Sequence, residues 1–271
     1  MAVFQHQLPH YAWAEPALAR MPGVQPMEAG DYLRRDEAFA GQMALRDAMI
    51  AQKPSAVHGL LPQALEAAQE LYDMILQRLA TSPGYRIGRQ VAQRPDGVAV
   101  NLDRSNPLLT LGRLVQEDLC ILQRSESEHL LTGAILCFPA SWTLAQKLGR
   151  GMQAIHRPVP SYNADLALRV QRMMDMIRPQ QGLWRMNYLT YAVPDLHHPL
   201  PEDSPRDRSK HIEKPYLRSE RQCFIRLPQT EAVVFTIHTY LMPIADLPPE
   251  AQAGLLRDPH NSIAPPPEPA R

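Results

Sequence analysis

Among the ten histidines of this chain, His156 has the sequence surroundings best suited to holding a metal. It lies in Ile155-His156-Arg157-Pro158-Val159-Pro160-Ser161-Tyr162, with prolines two and four residues further on. These stiffen the backbone and predict an imidazole kept off a helix face. A neutral imidazole held in that way is an iron donor, and also an ordinary loop histidine that hydrogen-bonds the backbone. His238, within an apolar run, is the competing donor. His129, His197, His198 and His211 fall in polar segments and are expected at the surface. Arg185 and Asn187 are two apart in a strand-like run, so their side chains share a face and ask for a polar ligand there. In Arg218-Ser219-Glu220-Arg221-Gln222 the same alternation sends residues 218, 220 and 222 one way and Arg221 the other. Glu220 can orient Arg218 or offset a cationic ligand, and a solvated edge strand with ordinary ion pairs accounts for the segment equally well. Trp142 and Tyr162 flank the His156 segment as candidate pocket walls.

Apolar runs at 119–123 and 130–138, separated by a polar loop, predict an antiparallel hairpin. Short helices follow: one opened by Ser141 or Thr143 and stopped at Gly149, then one capped by Asn163 and ended by Pro179. Runs at 183–193, 222–227 and 232–241 complete the strands. Upstream, Leu65, Ala68, Leu71, Tyr72, Ile75, Leu76 and Leu79 recur at helical spacing behind Pro62. A small hairpin is expected around Pro95-Asp96-Gly97, and a brief helix behind Ser105-Asn106-Pro107. Two strands, a helical insert and three strands form the order of a PAS-type pocket domain. The expected fold is therefore α+β: a PAS-like five-stranded antiparallel sheet with helices on one side and N-terminal helical extensions. The expected division is an extension at 1–57, the pocket domain with its preceding helix and hairpin at 58–242, and a C-terminal helix with a proline-rich tail at 243–271.

Charge and composition narrow the partners. Acidic and basic residues balance at 28 each, which leaves no net field to draw nucleic acid or an anionic membrane surface. No long apolar run and no signal-like N-terminus are present, so the expectation is a soluble, cytoplasmic protein. Cys120, Cys137 and Cys223 lie in apolar runs without paired short spacings, which predicts buried reduced thiols. The chain has neither a glycine-rich dinucleotide turn nor a cysteine cluster suited to an iron–sulfur centre.

Several phrases together resemble the haem-dependent oxidative N-demethylase family, over residues 58–242. They are His58-Gly59-Leu60-Leu61-Pro62, Gln116-Glu117-Asp118-Leu119-Cys120-Ile121-Leu122, Cys137-Phe138-Pro139-Ala140-Ser141-Trp142, the His156 segment, Trp184-Arg185-Met186-Asn187-Tyr188 and Arg218-Ser219-Glu220-Arg221-Gln222. The resemblance implies a PAS-derived domain holding haem b and dioxygen chemistry. It also implies electrons from flavin and iron–sulfur centres on a partner reductase, and dimethylamine-like secondary amines demethylated with release of formaldehyde. Within it His156 becomes the axial ligand, with Arg185, Asn187 and Trp142 around the haem. Tyr162, Glu220 and Arg221 become candidates for catalysis. The alternative is a haem-binding PAS sensor, or a non-catalytic ligand-binding subunit.

Overall fold

The computed structural model describes residues 2–19, 22–159, 162–202, 204 and 213–258. His211, the 264–271 tail and, within the polar insertion at 195–215, residues 203 and 205–212 therefore lie outside the described residues. In chain order the elements begin with α1 (Pro16–Ala19), β1 (Gln25–Pro26), α2 (Phe39–Gln52), α3 (Pro54–Val57) and β2 (His58–Leu60). A turn of 3₁₀ helix at Pro62–Ala64 leads into α4 (Leu65–Ala80), then β3 (Arg86–Ile87), β4 (Val91–Gln93), β5 (Ala99–Asn101) and α5 (Pro107–Gly112). The central unit is β6 (Asp118–Arg124), β7 (His129–Ile135), α6 (Leu144–Lys147), α7 (Met152–His156), α8 (Ala164–Met176), β8 (Leu183–Tyr191), β9 (Tyr216–Arg226) and β10 (Val233–Pro243). A last helix, α9 (Pro249–Arg257), follows.

The architecture is mixed α+β around a large antiparallel sheet. Among the described residues that sheet has seven strands in the order β1-β8-β9-β10-β6-β7-β2, and β3-β4-β5 form a separate three-stranded sheet. The expected five strands are thus the middle of a wider sheet. Its two margins are short segments from the N-terminal third, which a two- or three-residue run in sequence does not announce. The expectation of helices on one side is corrected as well. β6 is buried on both faces: Leu119 and Ile121 pack with α4 and α5, whereas Cys120 and Leu122 join Leu144, Met174 and Ile177 of the α6–α8 side. Continuous apolar runs such as Leu119-Cys120-Ile121-Leu122 are what a doubly covered strand requires. On the back face, Gly112 of α5 lies so close to β7 that a β-carbon there would stand 2.5 Å from Ile135 Cγ1. Residues 8–18 and α9 close the far end of that face, with Trp13 Nε1 donating to the Ala251 carbonyl at 3.0 Å.

Buried polar groups tie the N-terminal segment to the sheet. β6 pairs with β10 only as far as Asp118 opposite Ile237. Beyond it the β10 edge is completed by side chains: Gln5 and Gln42 both donate to the Thr239 carbonyl, and Leu241 N–H donates to Gln5. Arg46 of α2 is fully buried and donates to the Asp118 carboxylate at 2.6 Å and to the Gly112 and Gln116 carbonyls. Asp118 also accepts the N–H groups of Cys137 and Phe138, at 2.7 and 2.9 Å. His238 sits between Glu117 (2.9 Å) and Asp36 (3.0 Å). Burial opposes its charge, but the two carboxylates outweigh burial and raise its pKa to about 9. With both ring nitrogens engaged, His238 is withdrawn as a metal donor.

This imidazolium gives stability a pH window. Below the ordinary value of 6.5 the ring is charged in folded and unfolded chains alike and its contribution is complete. As pH rises from 6.5 towards about 9 only the folded protein keeps the proton, so stability declines and the contribution is gone above that range. Thermal unfolding of the wild type should show this slope, and His238→Gln should be less stable on the acid side and lack it. Parallel pH profiles for the two proteins would refute the assignment.

Candidate functional site

The front of the sheet, under α6–α8, is graded from apolar to polar by strand register. Leu183 lies opposite Phe224, which lies opposite Phe235, and the row continues through Cys120 to Ala134. All five belong to one apolar cluster, and the Phe224 and Phe235 rings stack at 4.8 Å. One pleat further, Arg185 and Ile237 flank Gln222. The next row is Asn187, Glu220 and Thr239. Glu220 is buried and both its oxygens are committed: one accepts from Arg218 Nε at 3.1 Å, the other from Gln222 Nε2 at 3.0 Å. Arg218 is itself anchored on the Leu196 and Phe138 carbonyls. Arg185 is half-buried; desolvation lowers its pKa, and Glu220 counters this by favouring the guanidinium.

The helical insert presents His156 to this face. Gly149, at φ 78°, ends α6 and turns the chain along β7, where Gly149 N–H donates to Leu131 and Leu131 N–H donates to Arg150. α7 then starts at Met152, and His156 is its last residue. The prolines therefore do not keep the ring off a helix. Pro158 follows the helix end, where a missing N–H is harmless. His156 Nδ1 lies 2.9 Å from the Met152 carbonyl. A carbonyl only accepts, so the ring proton is on Nδ1 and the lone pair on Nε2. Val159 N–H donates to the His156 carbonyl and Tyr162 N–H to the Val159 carbonyl, and the Tyr162 ring stacks on the imidazole, at 4.2 Å between centroids and 17° between planes. Burial lowers the His156 pKa, and the charges of Lys147 and Arg185 reinforce the effect against the opposing hydrogen bond to Met152. Lys147 is itself buried, bonded to the Ile155 carbonyl and to Glu202.

Of the residues singled out from the sequence, His156, Tyr162, Arg185, Asn187, Glu220 and Trp142 come to this side of the sheet. Trp142 packs, half-buried, on the same apolar cluster. Arg221 does not join them. It points to the back, where it donates to the Asp31 carboxylate at 2.7 Å and lies 5.3 Å over the Trp184 ring. The surface expectation fails for His129, which is buried with Nδ1 on Gln171, and for His197, whose Nδ1 donates to the Cys137 carbonyl at 2.8 Å. His198 packs edge-on against Tyr191. Lys147 and Thr239 were not picked out from the sequence. Thr239 had a signal, since it alternates in step with Ile237, but only the register places it beside Glu220. The three cysteines are buried and free, and desolvation raises every one of their pKa values.

The apolar row is covered by Leu144, Met174 and Ile177, and beside it stand the Arg185 guanidinium and the His156 imidazole, side chains of the kinds that hold the carboxylates and the iron of a haem. Two buried hydroxyls, Tyr162 Oη and Thr239 Oγ1, lack hydrogen-bond partners among the described residues, an arrangement that costs roughly 1–3 kcal/mol each until a ligand supplies one. A family model described as haem-dependent oxidative N-demethylase, alpha subunit-like, matches residues 23–265. In an NMR titration of the protein without haem, His156 should keep its neutral Nδ1–H form down through pH 6.5 and protonate only below it. A midpoint at or above that value would show that the ring is not desolvated beside Lys147 and Arg185.

Proposed function

Because the chain belongs to the haem-dependent oxidative N-demethylase family, alpha-subunit-like, we propose that it binds haem b between the sheet front and α7 and oxidatively demethylates a small secondary amine. The observation that carries this reading is the state of His156. A neutral ring whose Nδ1 proton is spent on a backbone carbonyl has Nε2 set as an iron donor, the arrangement in which histidine ligands are ordinarily held. The order of strands, helical insert and strands supports a PAS-derived origin for the domain.

Bound haem would supply dioxygen activation, and this chain's residues would supply the rest. Arg185 would pair with a propionate. Trp142, Tyr162 and the phenylalanine row would exclude water from the reacting centre. Tyr162 would act as a hydrogen-bond donor, since burial raises its pKa to about 12 and keeps the phenol protonated. Glu220 would hold Arg218 and Gln222 in place, one oxygen accepting from each. Asn187 and Thr239 would offer an amide and a hydroxyl to the substrate. Arg221 is assigned to the back face and to stability. Dimethylamine is the substrate the reading favours, with dioxygen as oxidant, electrons from flavin and iron–sulfur centres on a partner reductase, and formaldehyde as product.

The test is the optical spectrum of protein produced with haem, with and without His156→Ala, followed by formaldehyde release from dimethylamine with a reductase and dioxygen supplied. Loss or a marked shift of the haem bands in the variant is expected. Unchanged ferric and ferrous spectra would move the iron ligand elsewhere. Haem binding without amine-dependent formaldehyde would favour a sensor or a non-catalytic subunit.

A further inference from the structure

The Met152–Gln153 peptide group is engaged at both ends. Its carbonyl accepts from His156 Nδ1 at 2.9 Å. Its N–H, belonging to Gln153, donates to Glu128 Oε2 at 2.9 Å. Glu128 comes from a different element, the loop joining β6 to β7. A hydrogen bond at one end of an amide polarises the group and strengthens the bond at the other end, and a charged acceptor does so more than a neutral one.

The arrangement is built into the local chain. Ser125 closes the loop on Glu128, its N–H and hydroxyl both donating to the Glu128 carbonyl, at 2.9 and 2.6 Å. The carboxylate lies against Gly151, where a β-carbon would stand 2.0 Å from Glu128 Oε1, so no larger residue fits that position with Glu128 in place. Leu130 and Gly151 form an antiparallel bridge that fixes the start of α7 against β7. Glu128 also lies near enough to Tyr162, the ring stacked on His156, to add to the rise in its pKa.

We propose that Glu128 is a positioning residue for His156, acting through the Met152–Gln153 peptide as a carboxylate–peptide–imidazole relay. It holds the ring proton on Nδ1, fixes the ring about its axis and makes Nε2 a stronger donor. Direct carboxylate–histidine pairs tune metal ligands in this way; here one peptide unit stands between them. The relay exists without haem, and its consequence for iron rests on the function proposed above.

The experiment compares Glu128→Gln and Glu128→Ala with wild type, first without haem. Heteronuclear NMR should show His156 as the Nδ1–H tautomer in the wild type. Glu128→Gln, which keeps an acceptor oxygen and loses the charge, should keep the tautomer with the Nδ1 proton resonance moved upfield. Glu128→Ala should give a mixture of tautomers. The same tautomer and the same Nδ1 proton resonance in all three proteins would overturn the relay. In the haem-bound protein, Glu128→Gln should keep the wild-type ligation spectrum and shift the reduction potential positive, because a weaker donor stabilises ferric iron less. An unmoved potential would overturn the claim on donor strength. Failure of the haem assignment is read separately, as a wild type without haem bands or a His156→Ala variant that retains them.

Discussion

The make-up of the front face depends on the antiparallel register of β8, β9 and β10. Side chains alternate with a period of two, so a slip of one residue between β8 and β9 would send Arg185 and Asn187 to the back and bring Trp184 and Met186 forward. Several groups hold the register against that slip. Arg218 reaches past the sheet to the Leu196 and Phe138 carbonyls, and Ser219 Oγ donates to the Asn187 carbonyl of the neighbouring strand at 2.8 Å. On the back, Arg221 is fixed to Asp31 and Trp184. β9 thus carries alternating charged residues that anchor in opposite directions, and a one-residue shift would strand all of them in the wrong layer.

The buried ionic network behind the sheet reaches the site through β10. His238 lies between Ile237 and Thr239, which both belong to the front rows. Holding His238 between Glu117 and Asp36 on the back therefore fixes the strand that offers Thr239 on the front. The network needs all its members. Taking one partner from a buried pair such as Arg46 and Asp118 leaves a bare charge in a low-dielectric setting, at a cost of roughly 3–5 kcal/mol. Asp36 and Arg46 come from the N-terminal segment, so that segment is part of what shapes the sheet.

The central hairpin, the Asn163-capped helix and α4 were legible because local signals determine them: an apolar run with a turn, a cap three residues before the N–H it accepts, a helical stripe. What escaped was set by contacts distant in sequence. α2 showed only short apolar clusters because Gln42 and Arg46 interrupt its stripe. Both are buried nonetheless, their polar atoms paired with Thr239 and Asp118, nearly two hundred and about seventy residues further along. Glu117 and Asp118 gave no sign of their partners either, since the spacing of a lone acidic pair says nothing of a histidine far downstream. The setting of His156 differs from what its prolines predict, because prolines after a histidine are compatible with a helix that ends on it.

The charges of the polar rows bear on what can enter them. Arg218 donates to Glu220, whose charge also favours the Arg185 guanidinium, and with two desolvated guanidinium groups this end of the face favours an anionic group. A protonated alkylamine on its own meets the opposite field. The same electrostatics that keep His156 unprotonated, cations beside a desolvated ring, disfavour the protonated form of an amine placed there. The lowered pKa of His156 and the pull on an anion thus come from one field, in which Arg185 and Lys147 stand beside a desolvated ring.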